Sequence, residues 1–362
     1  MSDFRIDKIT NRDGSAGTQI AGISTFSGTS GMQLPVGPTE YRGGRGRGVF
    51  GGGGTGSNPS TSTVNTIQYI TIATTGNASD FGDLAEIKSD LTGCASAVRG
   101  FWYGGLGAAP GYAVKTAIET VVISSQGGAS DWGSLLTPTW GAIAVSNSTR
   151  GILAGGRQPA HSYQDVATMY VFDLASQGGQ REFGELATKG NTVQNGLNVT
   201  KGGCASPTRG IFLGGGSPRT KKIDYVNIST LGEGKEFGEA ITPVSRISGL
   251  SNTTRGIFFG GYNDGSPASV DTNVMQYVTI ATTGNTTDFG DMTEERHSVG
   301  TVASSTRGVS MGGLISTAPT YTRTNIIDYV TIASTGNASD FGDLVAGQAV
   351  GAAFSDVHGG LG

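Results

Sequence analysis

Six copies of one pattern, spread over 362 residues, limit what this chain can fold into more than any other property it has. An Arg-Gly step followed by apolar residues and a Gly pair occurs as RGVFGGG at 47–53, RGFWYGG at 99–105, RGILAGG at 150–156, RGIFLGG at 209–215, RGIFFGG at 255–261 and RGVSMGG at 307–313. A second segment follows each copy, clearest as IQYITIATTGNASDFGDL at 67–84 and IDYVTIASTGNASDFGDL at 327–344. The aromatic near its end sits at Phe81, Trp132, Phe183, Phe237, Phe289 and Phe341, 260 residues in five steps and a mean period of 52. Units repeated at such a period stack on their neighbours to bury what one unit leaves exposed.

Each unit reads as four short strands. Strand a is the small-residue run before the Arg, strand b the apolar stretch after it, strand c the IDYVTI-like stretch and strand d the short DFGDL segment. Gly, at 62 residues, supplies the backbone freedom that so many turns require, while charged residues at 14% stand well below the usual ~25%. Strand c is apolar on both faces, with Ile327 and Tyr329 on one and Val330 and Ile332 on the other. Such a sheet needs a neighbour in front and behind, and radial stacking of twisted sheets provides both. A period near 50 is that of kelch-type propellers.

The expected fold is therefore all-β: a six-bladed β-propeller of four-stranded blades over residues 46–362, with an N-terminal extended arm over residues 1–45. The first unit opens at strand b with no strand a before it, whereas GQAVGAAFSDVHGG at 347–360 is a strand a with nothing after it. The C-terminal strand is expected to complete the first blade beside Val49 and Phe50 and so close the ring, since an open ring leaves two sheet edges bare. The arm has spaced apolar residues (Ile20, Ile23, Phe26, Met32, Leu34) among Gly, Ser and Thr, too few for a core of its own.

The repeat unit and the opening ITNRDGSAGTQIAGISTFSG together resemble structural proteins of marine tailed bacteriophages, cyanophages especially. That resemblance covers the arm's first 35 or so residues and all six repeats. It implies a virion component of the tail, neck or fibre region, assembled in the host cytoplasm, multi-copy or homo-oligomeric, and joined to other virion proteins through residues 1–45. The repeat is similar to kelch repeats in rhythm but places the strand-d Phe81 12 positions after the strand-c Tyr69, about twice the kelch spacing.

Other classes fit poorly. A net charge of −4 argues against a nucleic-acid partner, although RGGRGRG at 42–48 looks like an RNA-binding box. No apolar run approaches the ~18–20 residues of a membrane-spanning helix. The opening MSDFRIDKITNRDGS lacks a secretory pattern, so Asn77, Asn147, Asn252, Asn285 and Asn337 in Asn-x-Ser/Thr read as turn residues. The DFG steps lack a kinase's other parts, depart from sialidase Asp boxes and read as tight turns with an aromatic packed between blades. The Gly pairs lack a phosphate-loop Lys. Cys94 and Cys204, two blades apart, are expected to be free buried thiols, and His161, His297 and His358 have no second ligand at metal spacing, so no cofactor and no metal is expected.

The repeated Arg slot holds Arg99, Arg150, Arg209, Arg255 and Arg307, and Asp80, Asp131, Glu236 and Asp288 lie nineteen positions before four of them. Both sets are expected on one face, where each guanidinium reaches an acid or carbonyl of the adjacent blade as a structural tether. The b–c loops (54–66, 106–117, 157–168, 262–273, 314–325) differ from one another and carry Tyr112, His161, Tyr163, Tyr262, Tyr321 and Arg323, types suited to sugar stacking or protein contact. They read as recognition loops or as loops packed on their own scaffold. The expected function is non-enzymatic: a virion structural protein presenting these loops to a neighbouring subunit or to a host-surface glycan or protein. The alternative is a tail-associated polysaccharide-degrading enzyme or a glycan-binding adhesin; an enzyme needs convergent carboxylates at one non-repeated place, and a lectin site in every blade needs b–c loops that match.

Overall fold

A computed structural model describes residues 26–27, 31–32, 46–57, 60–161, 164–177, 179–188, 202–215, 219–263, 270–316 and 321–361. The expected arm lies outside these residues except for Phe26–Ser27 and Gly31–Met32, which pair antiparallel. The described chain is all-β and propeller-like, built from antiparallel sheets with strand order a-b-c-d. Five sheets have four strands, and a sixth continues past its first four into two more. The second unit, for example, runs Thr92–Ala95, Arg99–Tyr103, Ala117–Val122 and Ser130–Ser134. In the first unit, strand b (Arg47–Gly51) takes its missing partner from Ala352–Ser355 at the other end of the chain, with Val49 opposite Phe354 and Phe50 opposite Ala353.

All six strands b share one burial pattern, a half-buried Arg followed by four buried residues. The apolar side chains on both faces enter six clusters that each combine neighbouring units; one holds Val49, Ile67 and Phe81 of the first with Trp102, Val121 and Ile123 of the second. The DFG steps are not turns. They lie inside strand d, and in every unit the aromatic is the extra residue of a β-bulge: Ile67 pairs with Gly82 and Gln68 with Asp80, leaving Phe81 between them. The bulge turns the ring inward, where Phe81, Phe237, Phe289 and Phe341 meet the strand-c Tyr edge-on at 5.8–6.0 Å.

The Gly after the aromatic has two jobs. Gly82 and Gly342 sit at φ 145° and 147°, and a Cβ on either would overlap the backbone carbonyl of Gly127 or Gly76 in the next unit's c–d loop. That loop latches onto the strand: Gly127 N–H donates to Phe81 O and Gly76 N–H to Phe341 O, both at 2.8 Å. The Asn-x-Ser/Thr residues serve the same ends, Asn77, Asn285 and Asn337 accepting a strand-d N–H of the preceding unit and Asn147 and Asn252 capping a–b turns.

The repeated Arg side chains do tie units together, but not to the acids of the preceding one. Arg209, Arg255 and Arg307 donate to carbonyls of Ile280, Ile332 and Ile72 in the following unit at 2.8–3.0 Å, Arg47 does so to Ile123, and Arg150 to Ile228 and Ser229. Four of these guanidiniums also lie over the strand-c Tyr of their own unit, 4.5–4.9 Å from the ring centre. Where strand c has Thr120, Arg99 turns onto Trp132 instead. The acids lie elsewhere: Asp80 and Asp288 are exposed, Asp131 caps Gly133 N–H, and Glu236 pairs with Lys222.

Strand c also hides polar groups. Gln68, Glu119, Asp224, Gln276 and Asp328 are buried and accept the N–H of Val345, Ala85, Thr188, Ile241 and Thr293, just past the DFGDL-like segment of the preceding unit. Tyr170 takes this slot in the third unit, and Gln180 supplies the acceptor to Leu136. Two of the acids form fully buried ion pairs, Lys88–Glu119 and Arg296–Asp328, each 2.7 Å. Removing one partner strands a charge in the interior. Asp328→Ala should cost about 3–5 kcal/mol in urea unfolding, and Arg296→Met combined with Asp328→Leu should recover most of it.

Candidate binding face

The b–c hairpins leave strand b at the end opposite the Arg. Their bases are not loose. Leu106–Gly107 pairs with Lys88–Ser89, Tyr262–Asn263 with Val244–Ser245, and Gly54–Thr55 with Gln348–Ala349, in each case the linker arriving from the preceding unit. Single bridges do the same between Trp140 and Arg157 and between His297 and Leu314. The hairpins of the sixth and first units merge, Thr322 pairing with Ser57 and Arg323 donating to Gly56 O at 3.4 Å. The loops therefore rest on the scaffold at their bases and vary beyond them.

Of the six residues singled out in these loops, the five described ones share no hydrogen bond or ring contact with one another. Tyr112 and Tyr321 are exposed (58% and 46%), and His161 ends an exposed helical turn, Pro159–His161. Tyr163 lies outside the described residues. Tyr262 and Arg323 are half-buried.

A different set gathers around Tyr262. Arg219 lies over its ring at 4.7 Å and donates to Ser245 Oγ at 3.0 Å. The His297 ring is 5.3 Å from that of Tyr262, and its Nδ1 is 2.8 Å from Asp271 Oδ1. His297 Nε2 faces Arg246 Nη1 at 3.3 Å. A guanidinium only donates, so Nε2 carries the lone pair and Nδ1–H donates to Asp271. Asp271 also accepts Ser316 N–H. Burial pushes His297 below the usual histidine range; the bond to Asp271 opposes this, and Arg246 adds to it. Charged residues at positions the other units fill differently were the available signal: Arg246 occupies the slot of Asp90, Ser298 and Val350, and all four adopt left-handed backbone with φ 52–55°.

These four residues also join units through the backbone. Asp90 N–H donates to Val350 O, Val350 N–H to Ser298 O and Ser298 N–H to Arg246 O, at 2.8–3.3 Å. Asp90, half-buried, has its carboxyl raised by burial, opposed by Arg246 and then by its Ser89 hydrogen bond and Arg323. Within lies a narrow space lined by strand a of all six units, with Asp90, Ser298 and Val350 toward this face. Its two parts measure about 70 and 100 Å³. That is room for a few waters, far below the ~300–1,000 Å³ of small-molecule sites.

At the other end the turn Gly359–Leu361 is buried against the strands. His358 Nε2 approaches Ala95 O at 2.9 Å and Ser146 Oγ at 3.3 Å. Burial lowers its pKa, the Ala95 carbonyl opposing. Cys94 and Cys204 are free buried thiols; burial pushes Cys94 up to about 12 and Cys204 higher still. Among the described residues no group of three or more His, Cys, Asp or Glu is placed to hold a metal ion. No protein-family model matches the chain, and no curated protein matches it.

Two outcomes are expected. Neither thiol reacts with a thiol reagent in the folded protein at mildly alkaline pH, and both react once urea unfolds it, because so little thiolate exists. His297 and His358 are both lowered, so the unfolded chain binds more protons below its own histidine pKa, and stability is lost as pH falls through that range. The urea midpoint should drop between about pH 7.5 and 5.5, and His297→Gln and His358→Gln should each flatten that slope.

Proposed function

We propose that the six units close into a six-bladed propeller and that the protein is a non-enzymatic structural component of a phage virion, in its tail, neck or fibre region. The observation that carries this reading is the division of the two faces. Gly46, where the arm of residues 1–45 joins, sits at the Arg end of strand b, and the divergent b–c loops sit at the opposite end. A module fastened at one face and read at the other needs this layout. The repeated polar side chains are spent on ties between units, as a rigid spacer requires, and one non-repeated set of charged groups, Arg219, Arg246, Asp271 and His297, gathers on the loop face. The virion setting rests on the resemblance of the repeats and arm to marine tailed-phage structural proteins. In this reading residues 1–45 bind other virion proteins in a multi-copy assembly, and the loop face meets a neighbouring subunit or a host-surface glycan or protein.

Particle images of the purified chain should show a disc of six lobes, and an open arc would overturn the closed ring. Cross-linking of virions that contain the protein should join Lys8 to a second polypeptide. Finding the chain only in infected-cell lysate and never in particles would refute the virion assignment. Release of reducing ends from host polysaccharide would favour an enzyme, and selective retention on a glycan array an adhesin.

A further inference from the structure

The C-terminal segment is held by its side chains as much as by its place in the sheet. Ala352–Ser355 pairs with Gly48–Gly51. Phe354 lies 4.6 Å from Trp102, ring centre to ring centre, over Gly100, where any Cβ would overlap its ring. Trp102 Nε1–H donates to Ala352 O at 3.1 Å, and Ser355 Oγ donates to Ala303 O at 2.7 Å. Asp356 Oδ1 accepts both Gly46 N–H and Arg47 N–H, at 3.0 and 3.1 Å. His358 then reaches Ala95 and Ser146, and Leu361 is buried.

The other units show what is special here. The slot of Phe354 holds Cys94, Val145, Cys204, Leu250 and Val302, none as large. The slot of Asp356 holds Ser96, Asn147, Ser206, Asn252 and Ser304, each accepting the N–H of the Arg three residues on. There a covalent turn brings cap and Arg together. Asp356 makes the same contact across 309 residues, with a carboxylate that takes two donors. A larger anchor and a charged cap stand where the connecting turn is missing.

We propose that the groove formed by strand b of the first unit and the innermost strands beside it is a strand-acceptor site specific for the segment Ala352–His358, able to take the same segment from a second copy of this chain when its own is displaced. Recognition in the groove is complete without a covalent link, so the donor's origin matters only through effective concentration, which favours the chain's own segment. Exchange between copies requires weakening of that segment.

The full-length protein tests this, with the double variant Phe354→Ala/Asp356→Ala and the milder Phe354→Leu, each checked for folding by its thermal transition. The probe is a fluorescein-labelled peptide of residues 348–362, followed by anisotropy. Wild-type protein should leave it unbound, and the variants should bind it, with protection of the Gly48–Gly51 amides from hydrogen exchange. A peptide carrying Asp356→Ala should bind at least about tenfold more weakly, and a scrambled peptide not at all. Folded variants that ignore the peptide, or that bind the scrambled one equally well, would overturn the proposal. The result is independent of whether the protein belongs to a virion.

Discussion

A strand buried on both faces has no stable place except between two other layers, and every strand b in this protein is such a strand. Ile211, Phe212 and Leu213 of the fourth unit are all essentially inaccessible to water, as are Ile257, Phe258 and Phe259 of the fifth. At roughly 1.5–3 kcal/mol for each large apolar side chain removed from water, the stabilisation lies between sheets more than within them. Each unit therefore depends on its neighbours, and ties between units recur at every level of the structure: the Arg to the following unit, the c–d loop on the preceding strand d, and the strand-c polar residue on the preceding linker.

These ties need close approach, which explains where Gly is placed. After five of the six strand-d aromatics the Gly (Gly82, Gly184, Gly238, Gly290 and Gly342) meets the next unit's backbone, and Gly308 faces Leu250 of the preceding unit where a Cβ would crowd its methyl groups. Ala at such a point overpacks an interface that has no slack, and the neighbouring backbone moves or the tie breaks. The low charge content follows from the same geometry. Most of each unit faces another unit, and fully buried charge there is matched in Lys88 with Glu119 and Arg296 with Asp328.

The repeat, the strand count and the pairing of Val49 with Phe354 were legible because they depend on period and on residue class. What could not be read depends on direction in space. The Arg slot and the acid nineteen positions earlier are on the page, but which neighbour a guanidinium leans toward is set by sheet twist, and it leans forward to a carbonyl. Asp-Phe-Gly favours a turn by composition, and only the pairing of Ile67 with Gly82 and Gln68 with Asp80 identifies a bulge. Gln68, Glu119 and Asp328 sit in stretches that look apolar, and their burial makes sense once the orphan N–H of the preceding linker is located. The loop residues were chosen by type, and type alone did not bring Tyr112, His161 and Tyr321 together. Arg246 and His297 carried a signal in breaking the pattern of their slots.

One pattern along the inner strands acquires a meaning only in three dimensions. The last three residues of strand a and its turn run Cys-Ala-Ser, Val-Ser-Asn, Cys-Ala-Ser, Leu-Ser-Asn, Val-Ala-Ser and Phe-Ser-Asp, beginning at Cys94, Val145, Cys204, Leu250, Val302 and Phe354. Ser146, Ser251 and Ser355 each donate to the carbonyl of Ala95, Ala205 or Ala303 in the unit before, at 2.7–2.8 Å. Asn147 and Asn252 donate in the other direction, to Pro207 O and Ser305 O of the unit after. The third and fifth units thus hold both neighbours, and the pattern alternates from unit to unit. Strand b of the first unit meets the C-terminal segment at the position where Asn gives way to Asp356. An Asn there would spend its carbonyl oxygen on a cap and keep an amide N–H for the next unit; a carboxylate has no N–H to donate forward and takes a stronger grip on Gly46 and Arg47, while His358 and the turn after it cover the forward side. Placed there, the break in the chain falls where an existing tie could be converted into a clasp.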